Sequence, residues 1–274
     1  MLPRFRSLTR PLVMGVLNVT PDSFSDGGKY FRAQDAIERA RQMVADGADL
    51  IDLGGESTRP GSEPVDADEE KRRVIPVLEA IAGKIGVPIS IDTYKAETAA
   101  AALSAGAEIV NDISGGRMDP DMLSLVASRG VPIILGHIRG TPKDMQDDPV
   151  YVDVVQEVAD ELEGIAVRAE EAGISRENVL VDPGIGFGKK MEHNLSLLRH
   201  LGQIVERGRP VVVGVSRKKF IGVLLDNAPP DDRIEGTAAA AALCVAAGAA
   251  VIRVHDVRQM ARVVKVASAI VRAG

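Results

Sequence analysis

Arg253 and His255 stand two residues apart at the end of an apolar run, so the period of an extended strand puts both side chains on one side. Beside a helix start, guanidinium, imidazole and backbone N–H groups together make an oxyanion site. Ser216-Arg217-Lys218-Lys219 closes another apolar run. Cations at a helix start oppose the helix dipole, which favours a ligand-facing role for at least one of these lysines. Asp182 opens Asp182-Pro183-Gly184-Ile185-Gly186-Phe187-Gly188-Lys189. Its carboxylate can accept two hydrogen bonds from an amidine-like ring edge, and the glycines let backbone approach a flat ligand. The spacing is not that of a phosphate-binding P-loop, and no Lys-Ser or Lys-Thr pair closes it. Asn18 heads a polar, turn-rich stretch reaching Gly28 and can offer an oxygen to a hard cation such as Mg²⁺. Such a loop is also a natural lid. In Gly54-Gly55-Glu56-Ser57-Thr58-Arg59-Pro60-Gly61, hydroxyls beside an arginine suit an anion.

One phrase, repeated along the chain, must position these groups. A helical stretch ends at a glycine, a few residues pass, a short β-branched run follows, and a polar residue closes it. The glycines suit helix C′ positions. Eight strands are expected, over 13–20, 50–52, 89–92, 109–112, 133–137, 179–182, 211–216 and 251–255. Between them, helical periodicity is read over 33–45, 69–85, 95–104, 120–128, 150–172, 191–207, 235–247 and 257–272, with Asp119-Pro120 as the start signal of the fourth. Apolar strands alternating with helices imply a parallel sheet covered on its outer side, and eight units over this length imply a (β/α)8 TIM barrel with long βα loops 1 and 2. A doubly wound sheet fits less well, because no Gly-x-Gly-x-x-Gly follows the first strand. Barrels of this class carry their sites at the C-terminal ends of the strands. Asn18, Asp52, Asp92, Asn111, His137, Asp182, Ser216, Arg253 and His255 all fall there. Any one of them could cap a helix or close a turn. As a ring they read as a ligand site.

Composition narrows the ligand. The 274 residues carry a net charge of -6 and only 3% aromatics, without tryptophan, which argues against a nucleic-acid surface. Cys244 is the single cysteine and lies in an apolar helical run, so no intrachain disulfide or thiolate zinc site is expected and the thiol reads as buried and inert. His193 and His200 lie on an expected helix and receive no role. The run from Pro11 to Leu17 reads as a first strand rather than a signal peptide, nothing approaches a membrane span, and a cytoplasmic protein is expected.

Taken in order, the motifs resemble those of the dihydropteroate synthases, the sulfonamide-target enzymes of folate biosynthesis. The resemblance covers nearly the whole chain. It rests on Met14-Gly15-Val16-Leu17-Asn18-Val19-Thr20-Pro21-Asp22-Ser23-Phe24-Ser25-Asp26-Gly27-Gly28, Gly54 to Gly61 as quoted, Ile91-Asp92-Thr93, Val110-Asn111-Asp112, Asp182 to Phe187, Ser216-Arg217-Lys218 and Arg253-Val254-His255. It implies one pterin-binding barrel domain over residues 1–274. The implied reaction joins (7,8-dihydropterin-6-yl)methyl diphosphate to p-aminobenzoate, releasing pyrophosphate and 7,8-dihydropteroate. By the same resemblance, Asp92, Asn111, Asp182 and Lys218 would hold the pterin, while Arg253, Val254 and His255 would hold the diphosphate with Asn18 on Mg²⁺. Thr58, Arg59, Pro60, Phe187 and Ser216 would frame the p-aminobenzoate pocket, Thr58 also touching the pterin substrate. Asp92, Lys218, Arg253 and His255 would act in catalysis. The loops over 21–28 and 57–61 would close on the reaction, and a homodimer without nucleic-acid or membrane partners is implied. One departure is visible: the family often has Met-His-Met after the fifth strand, where this chain has Gly136-His137-Ile138. Two other readings share the barrel. A pterin-binding methyltransferase domain would not need the Asn18 loop, Ser216-Arg217-Lys218 or the Arg253/His255 pair, and a non-catalytic paralogue should lack part of the loop or of the anion constellation.

Overall fold

The computed structural model of the chain describes residues 9–19 and 29–273; the expected lid over 21–28 lies outside the described residues. Eight strands run in the order expected: β1 (Leu12–Asn18), β2 (Leu50–Gly54), β3 (Ile89–Asp92), β4 (Ile109–Asp112), β5 (Ile133–Gly136), β6 (Val179–Asp182), β7 (Val212–Gly214) and β8 (Val251–Val254). They form one parallel sheet ordered β6-β5-β4-β3-β2-β1-β8-β7. A parallel bridge between Val181 and Val211 joins the two outer strands, so the sheet closes on itself.

Strand periodicity then decides what faces where. Leu12, Met14, Leu50, Ile109, Ile134, Leu180, Val212 and Val251 fill the barrel interior. The residues between them, such as Ile51, Val110, Leu135, Val181, Val213 and Ile252, pack outward against the helices. Two residues beyond the interior plug, on the same side of each strand, come Asp52, Asn111, Gly136, Asp182, Gly214 and Arg253. The barrel is thus apolar below and polar at its C-terminal mouth, because on six strands the plug residue is followed two positions later by a polar residue or a glycine.

The helices are α1 (Lys29–Ala45), α2 (Ala67–Ile81), α3 (Ala96–Ser104), α4 (Met122–Arg129), α5 (Val154–Glu171), α6 (Met191–Arg199), α7 (Leu201–Val205), α8 (Lys219–Leu224), α9 (Ile234–Ala246) and α10 (Val257–Val271). Asp66 and Asp153 cap α2 and α5 by accepting backbone N–H groups. Three expectations are corrected. The stretch 191–207 is two helices, broken at His200, whose φ of -108° and ψ of 20° are not helical. The six residues of α8 are too few to show a period, and the sequence reading passed over them. Asp119 does not cap the helix after it: Oδ2 accepts from Ala96 N at 2.7 Å, at the start of α3, while Oδ1 accepts from Asp121 N in a turn, and α4 begins at Met122. Cys244 is buried, and burial pushes its thiol up to about 12.

Candidate active site

Arg253 organises the mouth. Its Nε donates to Asp52 Oδ2 at 2.6 Å and a terminal nitrogen donates to Asp92 Oδ2 at 2.7 Å, spanning β8, β2 and β3. Asn111, on β4, donates from Nδ2 to the same Asp52 Oδ2 at 3.0 Å. The second oxygens, Asp52 Oδ1 and Asp92 Oδ1, are buried and unpartnered among the described residues. Burial pushes the Asp92 carboxyl up to about 7; Arg253 opposes that rise and Asp52 adds to it. The two carboxylates in turn hold the Arg253 guanidinium charged against its own burial. Arg253 was expected to present its charge to an anion beside His255. In the structure that charge faces two carboxylates across the mouth, and an arriving anion must compete with Asp92 for it.

His255 is a neutral partner. Burial first, then Arg253, push its imidazole down to about 3, so the ring is a hydrogen-bonding group rather than a cation. Its Nδ1 and backbone N both lie 3.1 Å from Ser216 Oγ, which ties the end of β8 to the turn after β7. Val254, between Arg253 and His255, packs in the shell between strands and helices, as period two requires, leaving only its backbone toward the rim. Arg217 sits at a φ of 59° and pairs with Asp256 and Asp231, so the turn spends one of its cations on structure. Lys218 turns instead toward the loop after β6. Its ammonium lies 4.3 Å above the Phe187 ring, and burial pushes it down to about 8, with Asp182 opposing.

Asp182 ends β6 with Oδ1 accepting from Gly184 N at 2.7 Å. Burial raises this carboxyl, and the Gly184 N–H and Lys218 oppose the rise. The loop that follows is fastened from several sides. Lys189 Nζ donates to Phe187 O and to His137 Nδ1, each at 2.9 Å; Gln146 donates to Gly186 O; Gly186 N donates to Asn194 Oδ1; and Tyr151 donates to Gly188 O. At Gly184, φ is 64° and an added Cβ would stand 1.9 Å from His137 O, so a side chain is excluded both by conformation and by contact. Gly184→Ala is expected to destabilise the fold by at least about 2 kcal/mol, seen as a lower denaturant midpoint at unchanged slope.

His137 was counted on the rim by its position at a strand end. It points the other way, toward α5, as expected one residue after the inward position of Gly136. Because Lys189 donates to Nδ1, the ring proton sits on Nε2, which donates to Glu161 Oε2 at 3.0 Å. Burial keeps this ring neutral, at about 4. Ile138, at the family's second Met position, is buried and lines a cavity of about 380 Å³ with Arg117 and Glu161, between α5 and the loops after β4 and β5.

The loop after β2 is anchored at its root and open at its tip. Glu56 is buried, accepts from Tyr94 Oη at 2.7 Å and pairs with Lys95, which also donates to the buried Glu70 at 2.8 Å. Thr58 is half-buried, whereas Arg59 and Pro60 are exposed, and Gly61 N donates to Pro142 O at 2.9 Å across to the loop after β5. Arg59 and Pro60 stand at the exposed tip of this loop. Asn18 ends β1 with Oδ1 3.4 Å from where a Cβ on Gly54 would stand, facing the barrel mouth beside β2. Among the described residues, no group of three or more His, Cys, Asp or Glu could hold a metal ion.

Asp52 is the residue whose place sequence reasoning undervalued. It stood among the strand-closing residues without a role, and nothing in its neighbours' types shows that Arg253, 201 positions away, folds onto it. Lys189 and Glu56 lay inside quoted motifs, but their buried partners come from other loops.

The chain matches the family described as pterin binding enzyme over residues 14–255. It is 48% identical over 265 residues to the dihydropteroate synthase of Bacillus subtilis, covering 97% of this chain and 90% of that one. A solved structure of Xanthomonas albilineans dihydropteroate synthase with 4-aminobenzoic acid superposes with a TM-score of 0.91 at 44% identity, over 97% of this chain and 94% of that one. Another from the same organism, in complex with 7,8-dihydropteroate, gives 0.88 at 41% identity, over 97% and 95%. With the barrel, the mouth and the motifs in agreement along nearly the whole length, the chain belongs to the pterin-binding enzyme family, among its dihydropteroate synthases.

Proposed function

We propose that this chain joins (7,8-dihydropterin-6-yl)methyl diphosphate to p-aminobenzoate, forming 7,8-dihydropteroate and pyrophosphate, at the mouth built by Asp92, Asn111, Asp182, Lys218, Arg253 and His255. The observation that carries this reading is their convergence from five different strands onto one rim, where acceptors and cations lie side by side. Asp182 and Asn111 meet the aminopyrimidine edge, and Lys218 donates to the ring carbonyl. Arg253, His255 and the Val254 backbone face the diphosphate. Phe187, Ser216 and Thr58 frame the arylamine, with Arg59 and Pro60 joining them when the loop closes. Incubation with both substrates and Mg²⁺ should release pyrophosphate and dihydropteroate in equal amounts; pterin binding without either product would leave only a binding protein.

The C–O bond at the exocyclic methylene breaks with its electron pair leaving on the diphosphate, and the electron-rich ring delocalises the resulting cation. The arylamine nitrogen then forms the new C–N bond and loses a proton. Asp92 sits where a carboxylate stabilises that cation. The amine is weakly basic and needs placing more than deprotonation. Asn18, whose side-chain oxygen lies beside Gly54 at the mouth, would hold Mg²⁺. An ion held there would take its remaining ligands from the phosphate oxygens of the substrate and from water. When bound, it would supply positive charge to the leaving group.

Lys218, depressed to about 8 by burial, sets an upper pH limit. The value of kcat/KM for the pterin substrate should fall as pH rises through about 8 and the ammonium is lost. Lys218→Arg should move that limb out of the accessible range, since a guanidinium keeps its proton. An unchanged limb in that variant would remove Lys218 from the assignment.

Among the described residues, no helix is long and apolar enough to cross a membrane. Leu243 on α9 and Val266 and Ile270 on α10 are each at least 60% exposed, on helices that pack side by side. A second copy of the chain covering this face gives the homodimer, which sedimentation would show as twice the 29.0 kDa chain mass.

A further inference from the structure

Asp52 is buried below the rim and has no direct role in the proposed reaction, yet one of its oxygens receives two hydrogen bonds. Arg253 Nε donates to Oδ2 at 2.6 Å and Asn111 Nδ2 donates to the same atom at 3.0 Å. Asp52 itself is fully buried, one strand turn above the apolar plug residue Leu50. An amide side chain carries a donor end and an acceptor end of nearly identical shape, so its orientation is set by its neighbours. Here the neighbour leaves no choice. Oδ2 already accepts from a guanidinium, so the end of Asn111 that faces it must be the N–H₂ end. The acceptor end, Oδ1, takes no hydrogen bond from a described residue and is left for a ligand.

We infer that Asp52 is a positioning residue for specificity: by holding the Asn111 amide nitrogen, it turns the Asn111 oxygen toward the ligand and selects a heterocycle that presents an exocyclic amine there. This rests on the pterin reading of the site. Asp182 supplies the companion acceptor, because its Oδ1 is engaged by Gly184 N and its other oxygen is not bonded by a described residue. Two acceptors at the same rim, from β4 and β6, suit a 2-amino edge, which has two N–H bonds to give. A 2-oxo edge would set a carbonyl oxygen against both. Without Asp52, the Asn111 amide is free to rotate by half a turn and offer its N–H₂ to the 2-oxo ligand, so that discrimination falls.

The test compares equilibrium binding of pterin and of lumazine, the 2-oxo analogue, to the full chain and its variants by calorimetry. The full chain should prefer pterin; equal binding of both would sink the pterin reading itself, independently of Asp52. Given that preference, Asp52→Leu should reduce the pterin-to-lumazine ratio roughly tenfold, the worth of one hydrogen bond made or opposed. Asp52→Asn keeps an acceptor oxygen for Arg253 and Asn111 and should retain most of the ratio. A role limited to stability would weaken both ligands together and leave the ratio alone. Asn111→Leu, with Asp52 intact, should cause the same loss as Asp52→Leu, and the double variant should lose no more than either. An unchanged ratio in folded Asp52→Leu or in Asn111→Leu overturns the inference, as does an Asp52→Asn variant that loses as much as the leucine.

Discussion

Replacing Asp92 by asparagine is expected to reduce turnover by roughly a hundred- to a thousand-fold while pterin affinity changes by less than about tenfold. The asparagine keeps the shape of the side chain and an acceptor for Arg253, so the resting mouth is little altered. What it removes is a negative charge in a site sheltered from water, beside the carbon that becomes cationic as diphosphate leaves. That charge matters more in the transition state than in the ground state, which is why the loss should fall on kcat. The same carboxyl sets a lower pH limit. Burial pushes it up to about 7, so it is protonated below that value and cannot balance the cation. Activity as kcat/KM should therefore rise with pH through about 7, and the Asp92→Asn variant should lose this limb. Equal losses in turnover and affinity would remove the transition-state role.

Arg253→Ala should have the second large effect, on two readouts at once. Binding of the diphosphate-bearing substrate should weaken, and its kcat/KM should fall by roughly a thousand-fold, whereas a pterin lacking the diphosphate should lose far less. The fold should also suffer. Asp52 is fully buried and Asp92 nearly so, and removing the guanidinium leaves both without their counter-charge. Breaking a buried pair on one side typically costs about 3–5 kcal/mol, and here protonation of a carboxyl at low pH should recover part of it. Arg253→Lys restores one charge but not the fork that reaches two carboxylates on different strands, so it should rescue stability better than kcat/KM. Steady-state kinetics with both ligands, beside denaturant titrations, separates these effects.

Much of the barrel was legible because the signal is local. Glycine at a helix end, a short β-branched run and a polar closing residue each follow from backbone conformation and burial, and they recur seven times after the first strand. The inward side of each strand also followed, since Asp52, Asn111, Asp182 and Arg253 keep step with the plug residues two positions before them. His137 was misjudged for the same period: a strand-end residue one position out of step faces the helices, and Lys189 and Glu161 receive it there. The break at His200 and the short helix at Lys219–Leu224 left no period long enough to read. The pairing of Arg253 with Asp52 and Asp92 was illegible for a different reason. A lone sequence shows that an arginine and two acids reach the rim, but which partner the guanidinium prefers depends on distances across the barrel. Likewise, Asp119 is a good cap by type, and only the folded chain shows that the N–H it satisfies belongs to Ala96.

A crystal structure of the protein with the pterin diphosphate substrate, arylamine omitted, tests the central claim most directly. The ring should lie flat in the mouth with its amino edge on Asp182 and Asn111 and its carbonyl at Lys218, and Arg253 should have turned from Asp92 toward the phosphates. A heterocycle bound elsewhere on the barrel, or phosphates held without Arg253 and His255, would contradict it.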